Sequence, residues 1–184
     1  WREGMFLHFE LIPDRLPDAL RDESEAMPAG GLQFEIGVQT LDPVTSDRIS
    51  RRQDVDKLEA NVRWLRANTS AHLHVDSLVG LPGEDEASFA RGFDRLWALG
   101  PHEIQVGILK RLRGAPIIRH DDEFAMVYAQ QPPYDVLQTG AMPFATVQRM
   151  KRFARYWDLV ANRGNWSETL PVLLQGESAY AQFA

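Results

Sequence analysis

Four short segments of the chain alternate apolar side chains with side chains that can bind polar ligands or exchange protons. They cover residues 6–12, 32–38, 72–79 and 103–109. Because successive side chains of a β-strand point to opposite faces, each segment would have one apolar face and one polar face. The polar sides, with the residue that follows the second segment, carry His8, Glu10, Glu35, Gln39, His74, Asp76 and Gln105. Carboxylates, imidazoles and amides gathered on one face can hold a polar ligand or act as acid–base groups.

Helical periodicity between these segments predicts how they are positioned. Amphipathic helices are expected over about 17–26, 55–68 and 86–99, with a short helix after Asp42-Pro43. Strand–helix repeats of this spacing imply right-handed crossovers and a parallel sheet. We therefore predict an α/β fold, a partial TIM-type (β/α) barrel fragment with parallel strands. An antiparallel sheet with one face in water is the weaker alternative, because helices separate the strands.

The polar strand faces predict a wet cavity. A fully buried parallel sheet is apolar on both faces, and a closed TIM barrel is filled with branched side chains. A curved or incomplete barrel with a polar concave side fits this chain better. Its ligand would lie near the carboxyl ends of the strands, where such folds bind ligands. The turn Gly80-Leu81-Pro82-Gly83 follows the third strand and would let the backbone approach a ligand closely.

The strand–helix pattern ends after Pro116. Residues 117–143 are predicted to be loop-rich, a helix is predicted over 144–161 and a short helix over 168–174. The apolar stripe of the longer helix, which includes Trp157, has the spacing of a core face. We therefore expect a barrel part over residues 1–118 and a small, mostly helical C-terminal extension over residues 119–184.

Composition excludes several kinds of site. The 184 residues contain no cysteine, which excludes disulfides, thiolate zinc sites, cysteine nucleophiles and cysteine-held iron–sulfur clusters within this chain. A net charge of −6 argues against general nucleic-acid binding. His72 and His74 lie two residues apart without a third ligand, so no metal site is assigned. No membrane-length apolar run or signal peptide is present, so no membrane partner and a cytoplasmic location are expected.

Three segments in this order and spacing resemble a known enzyme family. FEIGVQTLDP…RISRRQ, HLHVDSLVGLPGE and IQVGILKRLRGAPI are similar to the later strands of radical S-adenosylmethionine (radical SAM) enzymes. More narrowly, they resemble the cobalamin-domain-associated Fe–S oxidoreductases that carry an uncharacterised C-terminal domain. The resemblance covers about residues 5–118, and the helix around Trp157 is similar to that group's C-terminal extension.

The resemblance implies a partial (β/α)₆ barrel that holds S-adenosylmethionine (SAM) and a [4Fe–4S] cluster, with cobalamin as a further candidate cofactor. Reductive cleavage of SAM would give a 5′-deoxyadenosyl radical that abstracts hydrogen from a substrate. By position, Gln39 and Asp76 match polar residues at the ribose and neighbouring atoms of SAM. Arg51 matches an arginine that pairs with the SAM carboxylate, and Glu35 occupies the same strand-end site.

The resemblance also implies roles for the remaining candidate residues. The turn Gly80–Gly83 matches the strand-end turn near the adenine, and Leu109 matches the backbone position that contacts that ring. No catalytic residue is assigned. The candidates for positioning a substrate are the residues that face the same cavity, His8, Glu10 and Gln105.

The chain departs from the family in one large respect. The CxxxCxxC loop that supplies the cluster ligands is absent, as are the two preceding strands and a cobalamin domain. We expect a fragment, inactive alone, that supplies part of the cofactor pocket and is completed by the N-terminal part of the same protein. The strand near Trp1 favours that view, and it predicts an exposed sheet edge at residues 6–12 that could self-associate.

Two other functions remain open at this stage. A TIM-like α/β enzyme could use Glu10, Glu35 and Asp76 as acid–base groups without iron or SAM. A non-catalytic scaffold or interaction domain is the third interpretation.

Overall fold

The computed structural model describes residue 2 and residues 4–184, and its centre is a four-stranded parallel sheet. The strands lie in chain order and are β1 (Leu7–Leu11), β2 (Leu32–Gln39), β3 (His72–Val79) and β4 (Glu103–Ile108). The helices of this part are α1 (Asp18–Ala26), α2 (Pro43–Arg48), α3 (Val55–Asn68) and α4 (Glu86–Ala98). The predicted α/β partial barrel is confirmed, and the antiparallel alternative is wrong.

Aspartates fix where three of these helices begin. The side chains of Asp42, Asp54 and Asp85 accept backbone N–H groups of the first helical turn, at 2.7, 3.1 and 2.8 Å. Each bond satisfies a donor that has no partner inside the helix. These caps place α2 directly after β2 and α4 directly after the glycine turn, so both strand ends are held close to their helices.

Strict alternation along β2 and β3 separates the core from the polar face. Every second residue of both strands is buried and every other one is half-buried. Phe34, Ile36 and Val75 are at most 1% exposed. Helices α3 and α4 bury their apolar stripes in the same core through Leu58, Val62, Leu65, Phe89, Phe93 and Leu96. The predicted apolar face is therefore confirmed on these strands.

Strand β1 breaks this rule. Alternation places Phe9 with Leu7 and Leu11 on the apolar face of β1, which we expect to pack under the helices. Phe9 is 50% exposed, so that expectation is wrong at this residue. The physical reason is that α1 does not cover it, since Ser24 is the one buried residue of that helix. Leu11, at the end of the strand, is buried as predicted.

The segment after β4 contains more structure than its sequence predicts. It holds a 3₁₀ helix, a small antiparallel hairpin and further helices, namely Pro116–His120, β5 (Val127–Tyr128), β6 (Val136–Gln138), α5 (Phe144–Trp157), a π-helical turn (Asp158–Asn162), α6 (Leu170–Leu173) and α7 (Ala179–Phe183). The strands have two and three residues and α7 has five, which is too short for a readable periodicity, so the sequence does not predict them. The helix predicted over 168–174 is shorter than expected.

The α5 stripe packs this segment onto α4, as its periodicity predicts. Trp157 is 1% exposed, and its ring centre lies 4.7 Å from that of Phe93, 5.5 Å from Trp97 and 5.0 Å from Phe183. These aromatic contacts make the extension and the sheet layer share one core. None of the helices in the described part of the chain is long and apolar enough to cross a lipid bilayer.

Candidate functional site

A polar cavity of about 540 Å³ opens at the carboxyl ends of the first three strands. It contains five of the residues that the sequence predicts as ligands or substrate contacts, and these are Glu10, Glu35, Gln39, Arg51 and Asp76. Leu11, Ile12 and Gly37 complete its lining. The end of the sheet at which it lies is the one that binds ligands in open and closed α/β folds.

Strand register brings the acidic residues together. Glu10 is paired with Glu35, and Glu35 in turn with His74 on the next strand. One step further along, Gly37 is paired with Asp76. Because parallel neighbours lie about 4.8 Å apart, residues of one row on the same face are adjacent. Alternation within each strand and in-phase pairing between strands therefore build the site.

A β-bulge at the end of β2 shapes the floor of the cavity. Gln39 has a φ of +69°, and the β2–β3 register shifts between Gly37 and Gln39. A Cβ atom at Gly37 would lie 3.1 Å from Gln39 Nε2 and 3.2 Å from Arg51 Nη2. Bulges and left-handed non-glycine residues cost free energy and are concentrated at functional sites. The missing side chain of Gly37 leaves the space that Gln39 and Arg51 use.

Among the described residues, two of the three guanidinium nitrogens of Arg51 are hydrogen-bonded within the chain, and the third is free to bind a ligand. Its Nη2 donates to the Gly37 carbonyl, and its Nε donates to Gln53 Oε1 at 3.4 Å. Within the described residues, Nη1 has no hydrogen-bond partner. Burial lowers the pKa of Arg51, while the charges of Asp14 and Asp76 act in the opposite direction. A guanidinium held this way can present its free N–H groups to a carboxylate.

His74 joins two carboxylates beneath the cavity. Its Nε2 lies 3.2 Å from Asp76 Oδ1 and its Nδ1 lies 3.2 Å from Glu103 Oε2. Since carboxylate oxygens accept, this geometry favours an imidazolium with both nitrogens protonated. The hydrogen bond to Asp76 raises the pKa of His74, burial opposes it, and the charges of Asp76, Glu103 and Glu35 add to it.

Glu103 extends this network and was not assigned from the sequence. Its Oε1 lies 2.8 Å from His72 Nε2, so it bridges two histidines of β3. The signal was available, because Glu103 is on the polar face of β4 and is paired in register with His74. The network holds Asp76 in orientation from below.

Two substrate candidates lie beside the cavity and outside its lining. His8 Nε2 is 3.1 Å from Glu35 Oε2, so His8 contacts a lining residue. Gln105 is paired in register with Asp76 and is exposed. Both are neighbours of the site, and their roles stay predictions.

The glycine turn lies outside this cavity and is covered by the extension. A Cβ atom at Gly80 would lie 2.5 Å from Val136 Cγ1, and one at Gly83 would lie 2.9 Å from Phe124 Cε1. Both glycines have positive φ, +88° and +76°. Close packing by the chain itself therefore explains both glycines.

Leu109 is also engaged by the hairpin. Its N–H donates to the Val79 carbonyl at 3.0 Å, and its carbonyl accepts the N–H of Val136 at 2.8 Å. The structure thus brings five of the predicted site residues together in the cavity. It places two other predicted elements, Leu109 and the glycine turn, under β6. The sequence carried no signal of this cover, because β6 itself was not predicted.

Glu84, directly after the turn, is a buried acid that the sequence analysis missed. It is 3% exposed, its Oε1 accepts a hydrogen bond from the Thr40 hydroxyl at 2.6 Å, and its Oε2 has no hydrogen-bond partner in the described part of the chain. Burial raises the pKa of Glu84 to about 7, with Asp42 and Asp85 adding to the rise and the Thr40 hydrogen bond opposing it. Glu84 ties the end of β2 to the start of α4.

Comparison with known proteins finds a family model and a curated protein that each match part of this chain. A family described as "Protein of unknown function (DUF4080)" matches residues 122–183. Oxygen-independent coproporphyrinogen III oxidase of Paracoccus denitrificans (strain Pd 1222) is 32% identical over 103 residues, which are 55% of this chain and 22% of that protein.

Solved structures of larger enzymes share the fold. Coproporphyrinogen III oxidase (HemN) from Escherichia coli, described as a radical SAM enzyme, has a TM-score of 0.60 at 19% identity and matches 83% of this chain and 32% of its own. The radical SAM methyltransferase TsrM from Kitasatospora setae, with tryptophan and a SAM analogue bound, has a TM-score of 0.60 at 15% identity and matches 85% of this chain and 36% of its own.

The chain therefore has the fold of part of a radical SAM enzyme, and the predicted resemblance to that superfamily is confirmed. It spans 22% of the curated relative and about a third of the two solved enzymes. A second TsrM structure, with cobalamin and a [4Fe–4S] cluster bound, matches with a TM-score of 0.55 at 17% identity, over 69% of this chain and 26% of its own.

Proposed function

We propose that this chain supplies part of the SAM pocket of a radical SAM Fe–S oxidoreductase-like enzyme. The observation that carries the proposal is the convergence of Glu10, Glu35, Gln39, Arg51 and Asp76 on one cavity at the carboxyl ends of the strands. The fold shared with HemN and TsrM supports it.

The residues in the cavity suit the polar groups of SAM. The open Nη1 of Arg51 would bind the carboxylate of the methionine part, because guanidinium and carboxylate form charge-assisted hydrogen bonds. Asp76, held by His74, would accept hydrogen bonds from ribose hydroxyls, and Gln39 can donate or accept there. Glu35 would face the ammonium group. When bound, SAM supplies the radical chemistry of this superfamily.

The cluster does not fit the residues of this chain. Iron–sulfur clusters are held by cysteine thiolates, and the 184 residues contain none. We assign the [4Fe–4S] cluster, and cobalamin if the enzyme uses it, to an N-terminal part of the same protein. On this proposal the chain alone is catalytically inactive.

The division of the chain follows from the same proposal. Residues 1–118 would be the barrel part and residues 119–184 the extension. The family match over 122–183 supports this boundary, since it begins just beyond the 3₁₀ helix Pro116–His120. The shared aromatic core around Trp157 fixes the extension to the barrel part.

SAM binding to the chain tests the proposal. Equilibrium dialysis with radiolabelled SAM should show saturable binding, weakened at least about tenfold by Arg51→Ala and by Asp76→Asn. Arg155→Ala is the matched control, because Arg155 is exposed on α5 and has no ion pair among the described residues. Equal binding by wild type and both site variants would refute the assignment of this cavity.

A second function is favoured by the three carboxylates that line the same cavity. Glu10, Glu35 and Asp76 could act as acid–base groups on a different substrate. That enzyme would work without iron or SAM, so turnover by the full-length protein after exhaustive chelation would favour it over the SAM pocket.

A further inference from the structure

A second cavity, of about 660 Å³, lies beyond the end of β4 and shares no lining residue with the first. One wall is the segment 111–118 that follows β4, and the other comes from residues 128–134 of the hairpin. Its volume is in the range of roughly 300–1,000 Å³ that is common for small-molecule sites. The extension therefore supplies half of a cavity at the ligand-binding end of the sheet.

The charges of this cavity are one-sided. Its lining contains Arg111 and Arg113 and no acidic residue, in a protein whose net charge is −6. Arg111 is already paired, since its Nη2 lies 3.3 Å from Asp121 Oδ2 and its Cζ lies 5.7 Å from the centre of the Tyr128 ring. Arg113 has no ion pair or hydrogen bond within the described residues. The cavity thus offers one uncompensated positive charge.

Apart from Gln130 and the two arginines, the lining is apolar or aromatic. Leu112 and Ile118 are 57% and 55% exposed, so their side chains are accessible to a ligand in the cavity. Tyr128 and Tyr134 contribute two rings from the hairpin side. Pockets of this composition bind the body of a ligand by apolar contact and its head through a few polar groups.

The hairpin side is held in a strained conformation. Tyr134 has a φ of +62°, in a region that bulky residues rarely adopt. Its N–H donates to the Gln131 carbonyl at 3.0 Å, and its own carbonyl accepts the N–H of Arg111 at 3.0 Å. Backbone strain of this kind persists where the surroundings enforce it and is common at ligand sites. The bond between Arg111 and Tyr134 joins the two walls.

We propose that this cavity binds a small organic acid with one carboxylate and a flat, apolar body. The carboxylate pairs with Arg113, and the body lies between Ile118 and the hairpin tyrosines. A single free guanidinium matches a carboxylate better than a phosphate, which carries close to two charges at neutral pH. The extension thereby has a binding role of its own, independent of the SAM pocket.

Calorimetric titration of the chain with naphthalene-2-carboxylate tests the charge and the apolar body separately. The carboxylate should bind at least tenfold more tightly than the uncharged naphthalene-2-carboxamide, and acetate should give no measurable binding. Equal affinity for the carboxylate and the carboxamide would overturn the anion site. Acetate binding as tight as that of the naphthoate would overturn the apolar part.

Variants on both walls test whether the site lies here. Arg113→Ala should weaken naphthoate binding at least tenfold, Arg113→Lys should weaken it less, and Arg155→Ala should leave it unchanged. Tyr134→Gly removes the ring and the backbone strain together, so it should keep the fold, checked by circular dichroism, and still lose affinity at least tenfold. Naphthoate affinity unaffected by both Arg113→Ala and Tyr134→Gly would place binding elsewhere. Arg51→Ala should not change it, which separates this result from the SAM test.

Discussion

The two edges of the four-stranded sheet differ in whether the rest of the chain covers them. At β4 the extension closes the edge: Ile104 N–H donates to Asn162 Oδ1, and Asn162 Nδ2 donates to the Ile104 carbonyl, both at 3.1 Å. At Ile104 the side-chain amide thus makes the two backbone hydrogen bonds that a neighbouring strand would make. At β1 the outer edge has no strand partner among the described residues, and Phe6, Phe9 and Ile12 are 57%, 50% and 58% exposed.

This contrast indicates that the β4 edge is covered by the chain itself, whereas the β1 edge is available to another strand. An open strand edge with apolar side chains readily accepts another strand, and proteins usually cover or charge such edges. The polar cavity borders β1 through Glu10, so a strand added there would also enlarge the pocket wall. The closed edge anchors the extension, and the open edge lies beside the proposed SAM pocket.

The largest expected difference between the two sides is in core packing. Trp157→Ala should lower the free energy of unfolding by about 3–5 kcal/mol, because it empties the aromatic core between α5 and α4. Phe9→Ala on the open side should cost less than about 1 kcal/mol, because half of that side chain is already in water. Urea unfolding of both variants checks this, and equal losses would show that β1 is covered in solution.

Removing the amide that closes β4 should have a smaller effect. Asn162→Ala leaves the Ile104 N–H and carbonyl without their partners and should cost about 2 kcal/mol. Asn68→Ala is the matched control, since the Asn68 side chain donates one exposed hydrogen bond to Trp64, and it should change stability by less than about 1 kcal/mol. If the two variants unfold alike in urea, the amide does not close the edge.

The open edge should show itself in concentration-dependent association. Phe9→Lys places a charge on the exposed strand and should weaken any self-association at least about tenfold, or about 1.4 kcal/mol. Sedimentation equilibrium of wild type and variant measures this. A lysine in place of the exposed Val172 of α6 is the control and should leave association unchanged. Association that persists in Phe9→Lys would assign it to another surface.

The smallest expected effect is on the pH dependence of thermal stability, and it depends on His74 in β3, between the two edges. His74 has a raised pKa when folded, so its pairing with Asp76 stabilises the protein fully below its ordinary value of 6.5. That stabilisation is lost as the pH rises through the folded pKa. In thermal unfolding, the Tm of the wild type should therefore fall as the pH rises through this range, and the Tm of His74→Gln should not show that fall. His8→Gln, with a more exposed side chain, should keep that fall, and identical profiles for wild type and His74→Gln would contradict the assignment.

The sequence predicts the cavity better than it predicts what surrounds it. Alternation along the strands and a common register were enough to bring Glu10, Glu35 and Asp76 to one place, because both follow from local backbone geometry. The cover over Gly80 and the amide cap of Asn162 depend on contacts between distant segments, which leave no periodic signal. Glu84 was missed for the same reason, since a buried acid after a turn has the sequence of an exposed one.

We propose that the chain forms part of a SAM pocket, which another part of the same protein completes at β1. The most direct measurement is the affinity of the chain for SAM, alone and after addition of the cysteine-motif polypeptide from the complete reading frame. Hydrogen exchange is recorded on the same samples. We expect at least tenfold tighter SAM binding on addition and new protection of the Leu7–Leu11 amides. Unchanged affinity with β1 exchanging as before would contradict it.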